Sequence, residues 1–267
     1  MRLASIAIYP VKGCRRTELE CAAIGRFGLA HDRAWMVVRP DGFFLTQRSH
    51  PGLARIVPRL AEASLVLEHE GRAPVEVDPR AATRPIDITV WGRKATARDA
   101  GDSPAAWLSA VLGEPVRLAA LGPETRMHAD RKFVGERDVP VSFADGYPVL
   151  ICNRASLEEL NRRLGVELPM NRFRPNLVVE GLGAFGEDGI RSLRIGAVTF
   201  SLVKPCARCV VPSLDQQTGA KSTDPTPALK AFRWDKQLRG VTFGVNAVPE
   251  GGEGAALAVG DPVEVLG

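Results

Sequence analysis

The feature that most constrains this chain is its run of many short β-rich segments, each soon cut off by a glycine or proline turn signal. In the first half, Leu3–Val11, Arg33–Arg39, Phe43–Gln47, Ala63–Glu68, Val75–Val77, Ile86–Trp91 and Lys94–Arg98 read as strands. Pro40-Asp41-Gly42 marks a turn, because Pro fixes φ and Gly accepts a positive φ. A single helix fits here: Asp102 or Ser103 as its cap, Pro104 in its first turn, Ala106, Leu108, Val111 and Leu112 along one side, and Gly113 at its end. In the second half, Tyr147–Cys152, Asn176–Glu180, Ser192–Ile195, Ala197–Val203, Val241–Val248 and Pro262–Leu266 read as strands. Ala155–Leu164 reads as a helix, with Asn153 or Ser156 near its start and Gly165 beyond its end, and a short helix is expected near Pro227–Trp234. Residues 120–140 are polar and charged and read as a connector or functional loop. Many short strands with few helices predict a mainly β, α+β chain with β-barrel-like packing. The expected division is a β-barrel-like unit at 1–119 and a second β-barrel unit with a few helices at 120–267.

Charge and composition narrow the functional classes. A net charge of +4 on 267 residues is a mild bias. It lacks the concentrated basic stripe that nucleic acid demands, and it is compatible with small anionic ligands. No apolar run approaches the length of a spanning helix, and the N-terminus has no cleavable hydrophobic region. The five cysteines, Cys14, Cys21, Cys152, Cys206 and Cys209, are sparse and odd in number, so a reducing cytoplasm with thiols or metal ligands is expected.

The strongest local signal is Lys204-Pro205-Cys206-Ala207-Arg208-Cys209. Four readings compete. Structural zinc needs four ligands, yet the other cysteines are distant and His31, His50, His69 and His128 are unpaired in spacing. A redox dithiol needs a helix N-terminus, whereas this motif closes a β-rich run and is followed by Val210-Val211-Pro212. Two buried core thiols are the bland reading, opposed by the electropositive Lys204 and Arg208. The fourth is a single thiolate bound to a cofactor metal that brings its other donors with it.

Motifs spread along the chain resemble the MOSC family. Tyr9-Pro10-Val11-Lys12-Gly13-Cys14 and His31-Asp32-Arg33-Ala34-Trp35 are similar to its N-terminal β-barrel domain. Asn171-Arg172-Phe173-Arg174-Pro175-Asn176, the thiol motif, Ser213-Leu214-Asp215, Thr218-Gly219, Phe243-Gly244-Val245-Asn246 and Gly260-Asp261-Pro262-Val263 resemble the MOSC domain. The family includes the mitochondrial amidoxime-reducing component and its bacterial relatives. The resemblance implies a molybdenum-pterin cofactor, with Cys209 as the metal ligand and catalytic centre and Cys206 as a neighbour. It implies cofactor contacts at Lys12, Gly13, Arg33, Asp145, Gly146, Tyr147, Arg174, Ala207, Arg208 and Asn246. It further implies reduction of small N-hydroxylated substrates. No further cysteine group is present to hold an iron–sulfur cluster, so electrons are expected from a separate donor protein. The chain departs from the family pattern at Gly13 and Ala207, where relatives carry Ser, and at Asn246, where mammalian members carry Tyr.

These residue types suit the task. Arg33 and Arg174 offer planar forks for a phosphate, Lys12 adds a point charge, and Gly13 and Gly146 allow close backbone approach. Taken singly, each is equally readable as a solvated surface charge or a turn residue. A carrier of cofactor or sulfur without turnover, and a dithiol redox protein, are the competing functions.

Overall fold

Inward-facing aliphatic residues alternate with outward polar ones along several strands, as in Cys21–Gly25, where Ala22 and Ile24 are buried and Cys21 and Ala23 are exposed. Such half-buried strands need partners, and the computed structural model, which describes residues 1–267, supplies them in four sheets. The largest has nine strands. Its order is Val263–Val265, Ser192–Ile195, Val198–Ala207, Gly240–Pro249, Val149–Asn153, Leu177–Glu180, Arg2–Ile8 and Thr17–Leu19, with Trp234–Asp235 attached to Gly240–Pro249. Neighbours run antiparallel except Val149–Asn153 against Leu177–Glu180. A parallel pair requires a crossover, and the helix Arg154–Leu164 provides it. The ladder does not close on itself as a continuous ring. A bridge between Arg2 and Pro262, with Leu3 N–H donating to Asp261 O at 2.9 Å, brings its two ends together.

A five-stranded sheet carries Arg84–Val90, Arg93–Asp99, Arg117–Ala120, Trp35–Val38 and Val11–Lys12 in that order. Val57–Leu60, Leu65–His69 and Arg72–Val77 form a three-stranded meander, and Ala256–Ala258 pairs with Cys21–Gly25. The fold class is therefore mixed, mostly β, with four α-helices. No helix is long and apolar enough to cross a membrane. One apolar cluster fills the nine-stranded sheet around Ile6, Ile151, Leu177 and Phe200. Another joins Met36, Val38 and Ile88 to Phe143, Tyr147 and Val248, binding the five-stranded sheet to the second half of the chain.

Several local expectations need correction. Phe43–Gln47 forms no strand; it makes only isolated bridges, Val38 with Phe44 and Phe43 with Thr89. Gly42 explains the tight return: its φ is 80°, and a Cβ there would sit 2.0 Å from Asp87 O. The helix Asp102–Leu112 is preceded by Gly101, which makes no side-chain cap, so neither Asp102 nor Ser103 takes that place. Asp102 instead pairs with Arg117 at 2.8 Å. The 120–140 segment contains the end of Arg117–Ala120, a short helix Arg131–Val134 capped by Asp130, and a bridge from His128 to Pro140. Gly113 and Gly165 end their helices in the left-handed conformation, and Asn153 accepts from Ala155 N–H.

The strand Val198–Ala207 runs into the thiol motif, with Pro205 inside it. Proline cannot donate to a ladder, and the pairing with Gly240–Pro249 slips on both sides of it, between Leu202 and Lys204 and between Pro205 and Ala207. These bulges end regular pairing just where the two cysteines begin.

Candidate functional site

The junction of the two halves holds a cleft of about 850 Å³, open solvent at its mouth included. It is lined by Lys12, Gly13, Arg33, Asp145, Gly146, Tyr147, Arg174, Arg208, Cys209 and Asn246, all singled out above. Cys206 lines it too. Ala207 does not; it is exposed at the end of its strand. Residues from six separated stretches of sequence thus converge, four of them bearing cations.

Each charged group is held in place by a distinct local feature. Lys12 ends the strand Val11–Lys12 and is 6% exposed. Its ammonium donates to Phe143 O at 2.8 Å and pairs with Asp145. Burial alone would raise the Asp145 carboxyl. The Lys12 charge and hydrogen bond, the Trp91 N–H and Arg33 overcome that effect and hold it well below the usual carboxylate range. Arg33 and Arg174 both sit at left-handed φ, 48° and 53°. Such conformations are disfavoured for arginine and recur at sites that need a side chain aimed precisely by its surroundings. The two guanidinium groups flank the Tyr9 ring, 4.3 and 4.1 Å from its centroid. Arg33 pairs with buried Asp32 and donates to Asn176 Oδ1 at 3.0 Å. Arg174 has no carboxylate partner and donates to Gln216 Oε1 at 3.0 Å. Burial, with Arg33 beside it, pushes Arg174 down to about 10.

Around the thiols, Arg208 donates to Cys206 Sγ at 2.9 Å and to Phe173 O at 2.7 Å, while its buried Nε finds no partner. Cys206 and Cys209 are half-buried and free. Cys14 and Cys152 are fully buried, and burial pushes the Cys14 thiol up to about 12 and Cys152 well above its ordinary range, so both are inert core thiols. Nowhere do three or more His, Cys, Asp or Glu side chains converge to hold a bare metal ion. A metal at Cys209 would have to bring most of its donors with it.

Residues 1–115 match the MOSC N-terminal beta barrel domain, and residues 138–264 match the MOSC domain. Mitochondrial amidoxime-reducing component 1 of Mus musculus is 32% identical over 99% of this chain and 82% of its own length. The chain belongs to the MOSC-domain family. Mitochondrial amidoxime-reducing component 1 of Homo sapiens is likewise 32% identical, over 99% of this chain and 83% of its own length. The Molybdenum cofactor sulfurase of Danio rerio is 34% identical over 91% of this chain, which spans only 31% of that larger protein.

Does this MOSC chain fit a phosphorylated pterin metal group? The donor set is two half-buried soft thiols, of which Cys206 is engaged by Arg208, several cations in excess of carboxylates, and a buried guanidinium nitrogen left without an acceptor. Buried cations without acidic partners are costly, and an anion relieves the cost. The residues fit. Tyr9, Gln47 and Gln216 were not singled out from sequence as site residues. Gln47 donates to Gly13 O at 2.7 Å and accepts from Gln216 Nε2 at 3.1 Å, linking the floor of the cleft to Arg174. The stacked Tyr9 has a partial signal in its place just before Lys12, but its two arginines lie 24 and 165 residues away.

Proposed function

We propose that this protein binds a molybdenum-pterin cofactor through Cys209 and reduces N-hydroxylated compounds such as N-hydroxylated bases, amidoximes and hydroxylamines, with electrons from a separate donor protein. The carrying observation is the convergence of half-buried Cys209 with Lys12, Arg33, Arg174 and Arg208 in one cleft. When bound, the cofactor would supply two-electron, oxygen-accepting chemistry. The reaction breaks the N–O bond, consumes two electrons and two protons, and releases the amine-type product and water.

The chain's own side chains then have separable tasks. Cys209 offers the sulfur ligand just beyond the end of the strand that carries Cys206. Arg33 and Arg174, splinted against Tyr9, present N–H edges to the anionic end of the ligand. Lys12 adds a charge to the same cleft, and Gly13, at φ 82°, keeps the backbone close without a side chain in the way. Asp145, Gly146 and Tyr147 also border the cleft, Asp145 against Lys12, and Asn246 is oriented by donating to Lys204 O at 3.2 Å. Ala207 could contribute only through its backbone.

Elemental analysis for molybdenum and fluorescence of the oxidised pterin test the reading. Cys209→Ser is expected to lose the metal, and Cys206→Ser to keep most of it. Full molybdenum and full reductase activity in Cys209→Ser would refute the assignment. A second reading, cofactor or sulfur carriage without turnover, is favoured by the likeness to the Danio rerio protein named a cofactor sulfurase. Turnover of an amidoxime with an artificial reductant separates the two.

A further inference from the structure

Trp91 and Gly92 form the two-residue turn between the strands Arg84–Val90 and Arg93–Asp99, with φ of 50° and 78°. Turns with both central residues at positive φ favour Asn-Gly or Asp-Gly, because a bulky side chain is strained there. A tryptophan in that place breaks the local rule, and such violations persist where the side chain is needed. Trp91 is 41% exposed yet fixed on three sides. Its N–H donates to Asp145 Oδ1 at 2.9 Å, its ring meets Phe44 edge-on at 4.7 Å, and the Arg48 guanidinium lies 4.4 Å from its centroid.

Arg48 is the cation that this arrangement presents. It lines the cleft and is exposed, so it lies nearer the mouth than half-buried Cys209. The nearby carboxylates are already engaged: Asp145 by Lys12 and Trp91, and Glu114 by Arg39 and His50. A guanidinium laid against an indole keeps its N–H edges free and loses little freedom when it grips a planar anion.

We infer that Trp91 and Arg48 form a recognition arm at the cleft mouth for substrates that carry a carboxylate on a flat aromatic body. As a statement about substrate this rests on the reductase reading, but the binding itself does not. The test is calorimetric titration of benzamidoxime and 4-carboxybenzamidoxime into the intact protein without any reductant. Wild type is expected to bind the carboxylated compound about tenfold more tightly than the uncharged one, the scale of one charge-assisted contact. That ratio is expected to fall to about one in Arg48→Gln. It is also expected to fall in Trp91→Asn, which keeps the turn comfortable while removing the ring. Equal affinity in wild type, no measurable binding of the carboxylated compound, or an unchanged ratio in Arg48→Gln would overturn the arm. Adding reductant to the same samples addresses the reductase reading alone: a preserved ratio without turnover upholds the arm and sinks the reductase.

Discussion

Replacing Arg174 by methionine is expected to strengthen the ligand-free fold while weakening its grip on anions. The wild-type side chain is half-buried, its guanidinium desolvated beside a like charge and without a carboxylate, which pushes it down to about 10. Through the energy per pKa unit, that is about 3 kcal/mol against the charged form. Water in the cleft screens part of it, leaving roughly 2 kcal/mol. Methionine forfeits the hydrogen bond to Gln216, about 1 kcal/mol, and exchanges the guanidinium contact with the Tyr9 ring for a sulfur–aromatic one of similar size, roughly 0.5–1 kcal/mol, while keeping much of the stem packing. Both residues bear the same left-handed backbone, so that cost cancels. The net gain is about 1 kcal/mol, a rise in Tm of roughly 2–4 °C for a chain of this size. Melting curves of metal-free protein in phosphate-free buffer measure it. Added phosphate is then expected to raise the wild-type Tm and to move the variant less. A variant that melts below wild type in the ligand-free state would show that Arg174 serves the fold rather than a ligand.

Two other outcomes follow from the packing. Glu187 is fully buried, Ser156 Oγ lies 2.9 and 2.8 Å from its two oxygens, and burial raises its carboxyl above the ordinary range. The folded state therefore holds a proton that the unfolded chain gives up, so stability falls as pH rises from the ordinary glutamate range through the raised folded value. Glu187→Gln is expected to flatten that decline in urea midpoints, and an identical pH profile would rule the effect out. Gly42→Ala drives a methyl into Asp87 O at a positive φ and is expected to cost about 2–4 kcal/mol in urea unfolding.

Sequence made the local events legible and left the distant ones obscure. Gly113 and Gly165 announce the helix ends because few other residues accept a left-handed φ. The hairpin Arg84–Val90 to Arg93–Asp99 is visible because its partners are adjacent. Phe43–Gln47 looked like a strand because its residues favour one, but after the Gly42 turn it is drawn toward the cleft, where Gln47 serves Gly13. The short strands Thr17–Leu19, Cys21–Gly25 and Ala256–Ala258 escaped because their pairing partners, not their composition, make them strands. Within the cleft, the thiol motif and arginines are readable by chemical type and by family likeness. Tyr9 against two guanidinium groups is not, since nothing in spacing shows that Arg33 and Arg174 meet at one ring.

The strand Arg2–Ile8 lies next to Leu177–Glu180 and is bridged to Pro262, so segments far apart in the chain must meet before this side of the largest sheet is complete. Until they meet, Leu177–Glu180 keeps a bare edge, a state in which partly folded chains are prone to stick to one another. A fragment of residues 120–267 would keep that sheet without its end strands Arg2–Ile8 and Thr17–Leu19, and supplying residues 1–25 as a separate peptide is the direct way to repair it.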